Sequence, residues 1–215
     1  MADLEIFRKT VGELGTNCYI LVNHDLGECV VFDPAAEEEA LIEIFHTPEF
    51  QLKGIFLTHG HYDHIGAVQA LRDTFHVPVY ASKVENEEVL NDISANLSGM
   101  FGTPITLQAD ELLRDGQKID IIGTTITCIL TPGHTSGGMC YYCEELQSAI
   151  VGDTLFCGSV GRTDFPTGNG TILLDSIRQK LYTLPDETKI FPGHMDGTTI
   201  GWEKKSNMVC GAHEE

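Results

Sequence analysis

The sequence predicts a single domain of the α/β (or α+β) class, and three observations support this prediction. The chain has 215 residues, of which 42% are hydrophobic, enough to bury the core of one generous domain. Short runs rich in β-branched and aromatic residues alternate with amphipathic segments in the first third and return as strands in the second half. No linker, low-complexity stretch or repeat of roughly 20 to 50 residues interrupts the pattern, so we expect one domain over residues 1–215.

The first half of the chain alternates predicted strands and helices. The strand predictions rest on β-forming residues bounded by turn residues, and the helix predictions on apolar residues at helical spacing. The predicted strands are residues 4–9, 17–22, 29–33, 54–58 and 77–80, and the predicted helices are residues 37–45, 65–75 and 85–90.

The second half begins with an irregular segment. Residues 91–106 lack a clear period and contain Gly99, Gly102 and Pro104, which predicts a mixed helical and loop segment near the active-site face. Strands are then predicted at residues 124–130, 139–143, 149–151 and 189–191, and helices at residues 172–181 and 202–208.

The charge of the chain argues against several classes of partner. There are 13 Lys and Arg residues against 32 Asp and Glu, a formal net charge of −19. Because polyanions need neutralising cations, nucleic acid and anionic membranes are not expected as partners. The acidic N-terminus is unlike a secretory signal, and no apolar run approaches the ~20 residues that span a bilayer. We therefore expect a cytoplasmic protein.

The seven cysteines predict free thiols. Their number is odd and most lie in apolar, strand-like stretches, as buried thiols do in proteins of a reducing compartment. Cys140 and Cys143 form a Cys-x-x-Cys spacing within one predicted strand, where alternate residues face opposite sides. We interpret this pair as packing and not as a redox or metal site.

Metal-ligating side chains follow directly after four of the predicted buried strands. Five of the nine histidines occupy such positions. Because strand ends in packed sheets gather at one edge, where α/β enzymes place their sites, we expect these side chains to converge. They are His59, His61, Asp63 and His64 after the first of these strands, and His134, Asp153 and His194 after the other three.

The number and type of these side chains predict two metal ions. Five imidazoles and two carboxylates are too many for one tetrahedral zinc ion but suit two divalent ions with one carboxylate bridging. Zinc accepts such mixed ligands and is our first expectation, with iron and manganese as alternatives. Isolated core or capping histidines do not explain this clustering. Structural zinc sites usually include cysteine, and no cysteine lies in these segments.

In order and spacing, these segments resemble the metallo-β-lactamase fold superfamily. The resemblance covers nearly the whole chain, from Gly15 to His194. Residues 152–156 and 158–166 further resemble the glyoxalase II branch, in particular its short bacterial members, which are hydroxyacylglutathione hydrolase-like thioesterases. The resemblance implies a four-layer αββα sandwich with the metals at one edge between the two sheets.

The resemblance also implies roles for individual residues. It places His59, His61 and His134 on the first metal and Asp63, His64 and His194 on the second, with Asp153 as the bridge.

The implied activity is that of a dinuclear metal-dependent hydrolase acting on a small acyl-thiol. Two dications would supply hydroxide at neutral pH and stabilise the oxyanion. Asp63, the candidate catalytic residue, would orient the nucleophile. A thiolate leaves without protonation, whereas the amine of a lactam needs a proton donor, and the sequence offers no further positioned acid. A thioester substrate is therefore favoured.

Arg162 is the candidate substrate-binding residue. In a chain with few bases, an Arg between Gly161 and Thr163 after a ligand-bearing strand is suited to bind a substrate carboxylate through two hydrogen bonds. In glyoxalase II a basic residue at this position contacts the glutathione end of the substrate. A structural ion pair with Asp164 is the alternative.

Departures from the family leave the substrate and the reaction open. Few residues follow His194, whereas full-length glyoxalase II has a helical C-terminal domain, and Met195-Asp196 replace the usual residues, so another acyl-thiol is an alternative to glutathione. Residues 161–165 also resemble persulfide dioxygenases, which bind one iron through residues matching His59, His134 and Asp153. A non-catalytic metal-binding module is the third reading. Nuclease relatives are disfavoured because they need extra domains or basic surface.

Overall fold

Two six-stranded sheets form the centre of the molecule, which a computed structural model describes for residues 2–211. The first sheet is antiparallel from its first to its third strand and parallel from the third to the sixth. Its strands, in spatial order, are β1 (Leu4–Val11), β2 (Thr16–Asn23), β3 (Glu28–Phe32), β4 (Gln51–Phe56), β5 (Val79–Ser82) and β6 (Glu111–Leu113).

The second sheet contains one parallel pair, and its other neighbours are antiparallel. Two further short strands pair with each other as a separate hairpin, which falls between two strands of this sheet in the chain. In chain order these strands are β7 (Lys118–Ile121), β8 (Thr124–Leu130), β9 (Met139–Cys143), β10 (Ser148–Gly152), the hairpin strands β11 (Leu155–Phe156) and β12 (Ser159–Val160), β13 (Lys189–Pro192) and β14 (Thr198–Thr199). The spatial order of the sheet is β14-β13-β10-β9-β8-β7, with β10 and β13 parallel.

Six α-helices are described within residues 2–211, together with a 3₁₀ turn at Leu181–Thr183. They are α1 (Glu38–Phe45), α2 (Tyr62–Ile65), α3 (Val68–Phe75), α4 (Lys83–Glu88), α5 (Gly170–Gln179) and α6 (Ile200–Ser206). Helices α1 and α3 pack through Leu41 and Leu71 on the outer face of the first sheet. Helices α5 and α6 pack through Leu173 and Ile200 on the outer face of the second.

A third apolar cluster fills the space between the sheets and confirms the predicted αββα sandwich. Phe32 and Phe56 of the first sheet meet Tyr141 of the second, with ring centroids 5.3 to 5.4 Å apart. All three side chains are buried, and burying a side chain of this kind contributes about 1.5–3 kcal/mol. Alternate residues of the central strands face this inner cluster and the outer helices, which explains why the strands read as continuous apolar runs.

The structure corrects two predicted elements. The helix predicted over residues 65–75 is interrupted by a turn at Gly66 and Ala67, so that its first residue ends α2 and residues 68–75 form α3. A Cβ at Gly66 would overlap the Ala35 carbonyl. No helix or strand lies within residues 91–106, so the helical part of that prediction is wrong. The predicted location of this segment near the active-site face is confirmed. The backbone N–H of Tyr62, which lies between His61 and Asp63, donates to the Asn96 carbonyl at 2.9 Å.

The cysteines match their prediction. All seven are free thiols and six are buried, with Cys157 exposed. Cys140 and Cys143 have separate neighbours: the Cys140 sulfur lies 3.1 Å from the Thr131 hydroxyl, and the Cys143 sulfur lies 3.6 Å from the Thr124 hydroxyl. No helix within residues 2–211 has both the length and the apolar character needed to cross a membrane.

Candidate metal centre

The predicted ligand residues lie together where the strands of both sheets end. His59 and His61 follow β4, and Asp63 and His64 belong to the short helix α2. The other three, His134, Asp153 and His194, follow β8, β10 and β13 of the second sheet. The site is therefore built across the two sheets.

One group of potential ligands consists of three buried histidines, His59, His61 and His134, whose ligating atoms lie within 4.8 Å of one another. Their ring centroids are 4.7 to 4.8 Å apart. The Arg162 backbone carbonyl accepts a hydrogen bond from His134 Nδ1 at 2.7 Å, which leaves Nε2 directed to the group. Three imidazoles in this arrangement match the donor set of a zinc-type site.

A second group consists of Asp63, His64 and His194. Asp63 Oδ2 lies 3.3 Å from His194 Nε2 and 3.8 Å from His64 Nε2. His64 is fully buried, whereas Asp63 and His194 are partly exposed. The second group is thus the one open to solvent.

Asp153 lies between the two groups. Its Oδ2 is 3.6 Å from His134 Nε2 in the first group and 3.6 Å from His194 Nε2 in the second, and its Oδ1 is 3.5 Å from His64 Nε2. Gly193 allows this close approach, because a Cβ at this position would overlap Asp153 Oδ1.

Unpartnered buried atoms show that the site fits metal ions. Within residues 2–211, the Nε2 atoms of His59, His61 and His64 and the Oδ1 atom of Asp153 are buried without a hydrogen-bond partner. Each such atom costs about 1–3 kcal/mol if it stays unsatisfied. The atoms of His59, His64 and Asp153 belong to the ligand groups described above, and coordination of divalent cations would satisfy these three. His61 faces the first group with its other ring nitrogen, since its Nδ1 lies 3.0 Å from His134 Nε2.

The protonation states of the first group also suit a metal. Burial and the neighbouring imidazoles lower the pKa of His59 well below its usual value, and burial lowers the pKa of His61 to about 3. Burial likewise lowers the pKa of His134. These imidazoles are therefore neutral at physiological pH, which is the form that coordinates a metal.

The second group attracts positive charge. Burial alone would lower the pKa of His64, but the carboxylates of Asp63, Asp153 and Asp33 raise it to about 10. In the absence of metal, a proton on His64 therefore compensates the acidic residues. A cation bound among them would replace that proton.

The sequence did not single out Asp33, a buried residue that orients the second group. It follows β3 and accepts hydrogen bonds from the Thr58 backbone N–H at 2.8 Å, the Thr58 hydroxyl at 2.6 Å and His64 Nδ1 at 2.9 Å. Although Asp33 lies near His59 and His64, these three donors already occupy its oxygens, which favours an orienting role. Its place at a strand end is the signal that would have found it.

A second buried carboxylate, Glu85 of α4, joins the loops of the first group. Its oxygens accept from the Gly60 backbone N–H at 2.7 Å, the Thr135 hydroxyl at 2.8 Å and the Gly137 backbone N–H at 3.0 Å. Gly60 lies between His59 and His61, and Thr135 follows His134. Burial raises the pKa of Glu85 to about 7. No sequence pattern distinguishes this residue from the other acids of its segment.

The Arg162 side chain is engaged within its own loop. Its guanidinium donates two hydrogen bonds of 2.7 Å to Asp164 and lies 3.7 Å from the centre of the Phe165 ring. The ion pair named as the alternative is therefore present. More than half of the Arg162 side chain is exposed to solvent, so the predicted contact with substrate stays a prediction.

Comparison with known sequences gives consistent relatives. The sequence profile described as the Metallo-beta-lactamase superfamily matches residues 11–194. A Bacillus subtilis protein named probable metallo-hydrolase YqgX is 37% identical over 202 residues, covering 93% of this chain and 94% of its own. Hydroxyacylglutathione hydrolase GloC of Haemophilus influenzae is 36% identical over 197 residues, covering 89% and 91%.

Solved structures agree in fold over most of the chain. BLEG-1, described as a B3 metallo-beta-lactamase, is 40% identical with a TM-score of 0.90, covering 96% of this chain and 99% of its own. TTHA1623 in a di-iron-bound form is 34% identical with a TM-score of 0.82, covering 94% and 98%. ETHE1 from Myxococcus xanthus is 28% identical with a TM-score of 0.80, covering 96% and 84%.

Proposed function

This chain belongs to the metallo-beta-lactamase superfamily, and from that premise we propose that it is a dinuclear, glyoxalase II-like thioesterase that hydrolyses a small acyl-thiol. The observation that supports two metal positions is the carboxylate of Asp153, whose oxygens lie 3.5 to 3.6 Å from histidines of both groups. His59, His61 and His134 would hold the first ion, and Asp63, His64 and His194 the second.

Two bound divalent cations would lower the pKa of a water molecule and would polarise the carbonyl group of the substrate. The residues supply orientation. Asp63 is partly exposed and its Oδ2 lies 3.3 Å from His194 Nε2, so its other oxygen is free to accept a hydrogen bond from the attacking water. Burial alone would raise its pKa, but His64 and His194 hold that pKa well below the usual value. Asp63 is therefore an acceptor at neutral pH.

The leaving group favours a thioester over a lactam. A thiol with a pKa of about 8.5 leaves as a thiolate without a proton donor, whereas an amine needs one. On the proposed ligand set, Asp63 and the five histidines of the site would each be bound to a metal ion, so none of them supplies that proton. The Haemophilus influenzae relative supports the thioester assignment, and the BLEG-1 description makes a lactam the substrate to test against it.

Metal analysis and a substrate panel test the proposal. Protein purified without a metal-binding tag should contain two zinc, iron or manganese ions per chain and should hydrolyse acyl-thioesters, with lactams, lactones and persulfides as comparisons. One iron per chain with persulfide-dependent oxygen uptake would overturn the thioesterase in favour of an oxygenase. Stoichiometric metal without turnover of any of these compounds would indicate a metal-binding module.

A further inference from the structure

An open cavity of about 530 Å³ lies beside the second ligand group. Three chain segments form its walls: the turn between β1 and β2, the residues that follow β3, and the loop around Phe101. Tyr62 and Asp63 also line it. We call this cavity the hairpin groove. Because a proposed metal ligand lines it, the groove is continuous with the site.

The walls of the hairpin groove are largely apolar. Leu14 and Phe101 lie on it and are 55% and 52% exposed. The Phe101 ring stacks on the Tyr62 ring, with centroids 4.4 Å apart and 21° between the planes. Large apolar side chains left exposed beside a concave site are typical of ligand contacts.

The charges of the hairpin groove are all of one sign. The ionisable residues that line it include Asp63, Glu13 and Glu38, and no Lys, Arg or His is among its described lining residues. Bringing a carboxylate into this groove would cost desolvation and repulsion by Glu13 and Glu38, and no Lys, Arg or His among the described lining residues would compensate. The groove therefore suits an uncharged, apolar group.

The groove and Arg162 lie beside different ligand groups. The groove adjoins Asp63 of the second group. Arg162 adjoins the first group, because its carbonyl binds His134 and its guanidinium lies over Phe165, whose ring is 5.9 Å from that of His61. A thioester with its carbonyl between the groups would extend one arm towards each.

We propose that the hairpin groove binds the acyl arm of the substrate and that this arm is an uncharged alkyl or aryl group. The proposal rests on the proposed thioesterase function and narrows its substrate class. The thiol arm then lies on the Arg162 side. Leu14, Phe101 and Tyr62 would contact the acyl arm, while Glu13 and Glu38 would disfavour acyl groups that carry a carboxylate.

A series of thioesters of one neutral thiol, N-acetylcysteamine, tests the acyl arm in the metal-loaded enzyme. The value of kcat/KM should rise at least about tenfold from the acetyl to the hexanoyl thioester, because the added methylenes are buried against the apolar walls of the groove. The phenylacetyl thioester should have a kcat/KM similar to that of the hexanoyl thioester, and the succinyl thioester should have a lower kcat/KM than the butanoyl thioester. In Leu14→Ala and Phe101→Ala, kcat/KM should depend less on the length of the acyl chain. The double variant Glu13→Gln with Glu38→Gln should hydrolyse the succinyl thioester faster than the wild type.

Leu26→Ala is the matched control for Leu14→Ala. Leu26 is 52% exposed and lies in the turn after β2, at the opposite end of that strand from Leu14, so its replacement should leave the series unchanged. A flat acyl series in the wild type would overturn the proposal. The proposal would also be overturned if kcat/KM rose with the chain length of the thiol while the acyl group was held constant.

A binding measurement separates failure of the groove from failure of the proposed function. Calorimetry with the neutral ligand 4-phenyl-1-butanol should show binding to the wild type that weakens about tenfold in Phe101→Ala and is unchanged in Leu26→Ala. If no thioester is hydrolysed, the thioesterase function fails, and binding still decides the groove. Equal binding to wild type and Phe101→Ala would overturn it.

Discussion

Two buried carboxylates, Asp33 and Glu85, organise the site at the scale of single residues without belonging to the proposed ligand set. Asp33 accepts from His64 of the second group, and Glu85 connects the two loops that carry the first group. Side chains that orient metal ligands are often as important as the ligands for affinity. Each group thus has its own supporting acid.

Asp33→Asn should weaken metal binding at the second group by about 10- to 100-fold. Asparagine keeps the shape of the side chain and tolerates the left-handed backbone of residue 33, where φ is 48°. Its NH₂ must face one of the three donors, so one hydrogen bond is lost. Competition with a chromophoric chelator measures the two affinities. Asp175→Asn, at an exposed position, is the control, and unchanged affinities in Asp33→Asn would contradict the expectation.

Glu85 should make stability fall as pH rises. Its folded pKa of about 7 lies above the unfolded value of 4.5, so between these values the unfolded chain releases its proton first. Stability is therefore lost from about pH 4.5 up to pH 7, by on the order of 3 kcal/mol. Urea unfolding of metal-saturated protein at several pH values should show this decline, and Glu85→Gln should remove it. Glu87→Gln, exposed on the same helix and not among the groups that shift the pKa of Glu85, should keep it.

Arg162→Ala should raise KM about tenfold for thioesters with a carboxylate on the thiol arm and leave neutral thioesters unchanged, because a bidentate charged contact is lost. Asp164→Asn should lower KM for the same anionic substrates, because it releases the guanidinium from its ion pair. Steady-state kinetics of matched thioesters measures both effects. Equal KM values for all substrates would show that the Asp164 ion pair is the whole role of Arg162.

At the scale of elements, the strand ends of the two sheets meet with almost no free space. Gly152, at the end of β10, has φ of +50°, and a Cβ there would overlap the Thr58 hydroxyl, which hydrogen-bonds to Asp33. A side chain larger than glycine would therefore separate the sheets at the site.

Gly152→Ala should lose metal binding and unfold at lower denaturant concentration than Gly116→Ala. Gly116 also has positive φ, +72°, but nothing lies within 4 Å of a Cβ placed there. Both variants pay about 1–2 kcal/mol for the left-handed backbone, so the difference between their urea midpoints isolates the steric overlap. If the two variants had equal urea midpoints and equal metal content, the two sheets would accommodate a Cβ at residue 152 without loss of stability.

The sequence could predict the long strands and the outer helices because their apolar residues recur at fixed periods. It could not predict β6, β11, β12 and β14, because two or three residues each are too few to show a period. Glu85 was missed because its donors come from the loops after β4 and β8, which are distant from it in sequence. The proposed metal ligands were recognisable because each follows an apolar strand.

At the scale of the whole molecule, the net charge of −19 should repel anionic substrates over distances that salt controls. The screening length falls from about 30 Å at 0.01 M salt to about 8 Å at 0.15 M. Raising salt over this range should therefore increase kcat/KM several-fold for anionic thioesters and leave neutral thioesters unchanged. A fall with added salt for anionic substrates would instead show that local positive charge, such as Arg162, dominates their approach.

Because the ligands are divided between the two sheets, the two metal positions are completed at different times during synthesis of the chain. Asp63 and His64 belong to the first sheet's side of the site, whereas His194 follows β13 near the end of the chain. On the proposed ligand set, the three histidines of the first position leave the ribosome before β9, whereas the second position lacks His194 until β13 has emerged. The second position is therefore completed after the first, and a chain truncated before His194 would be left without it.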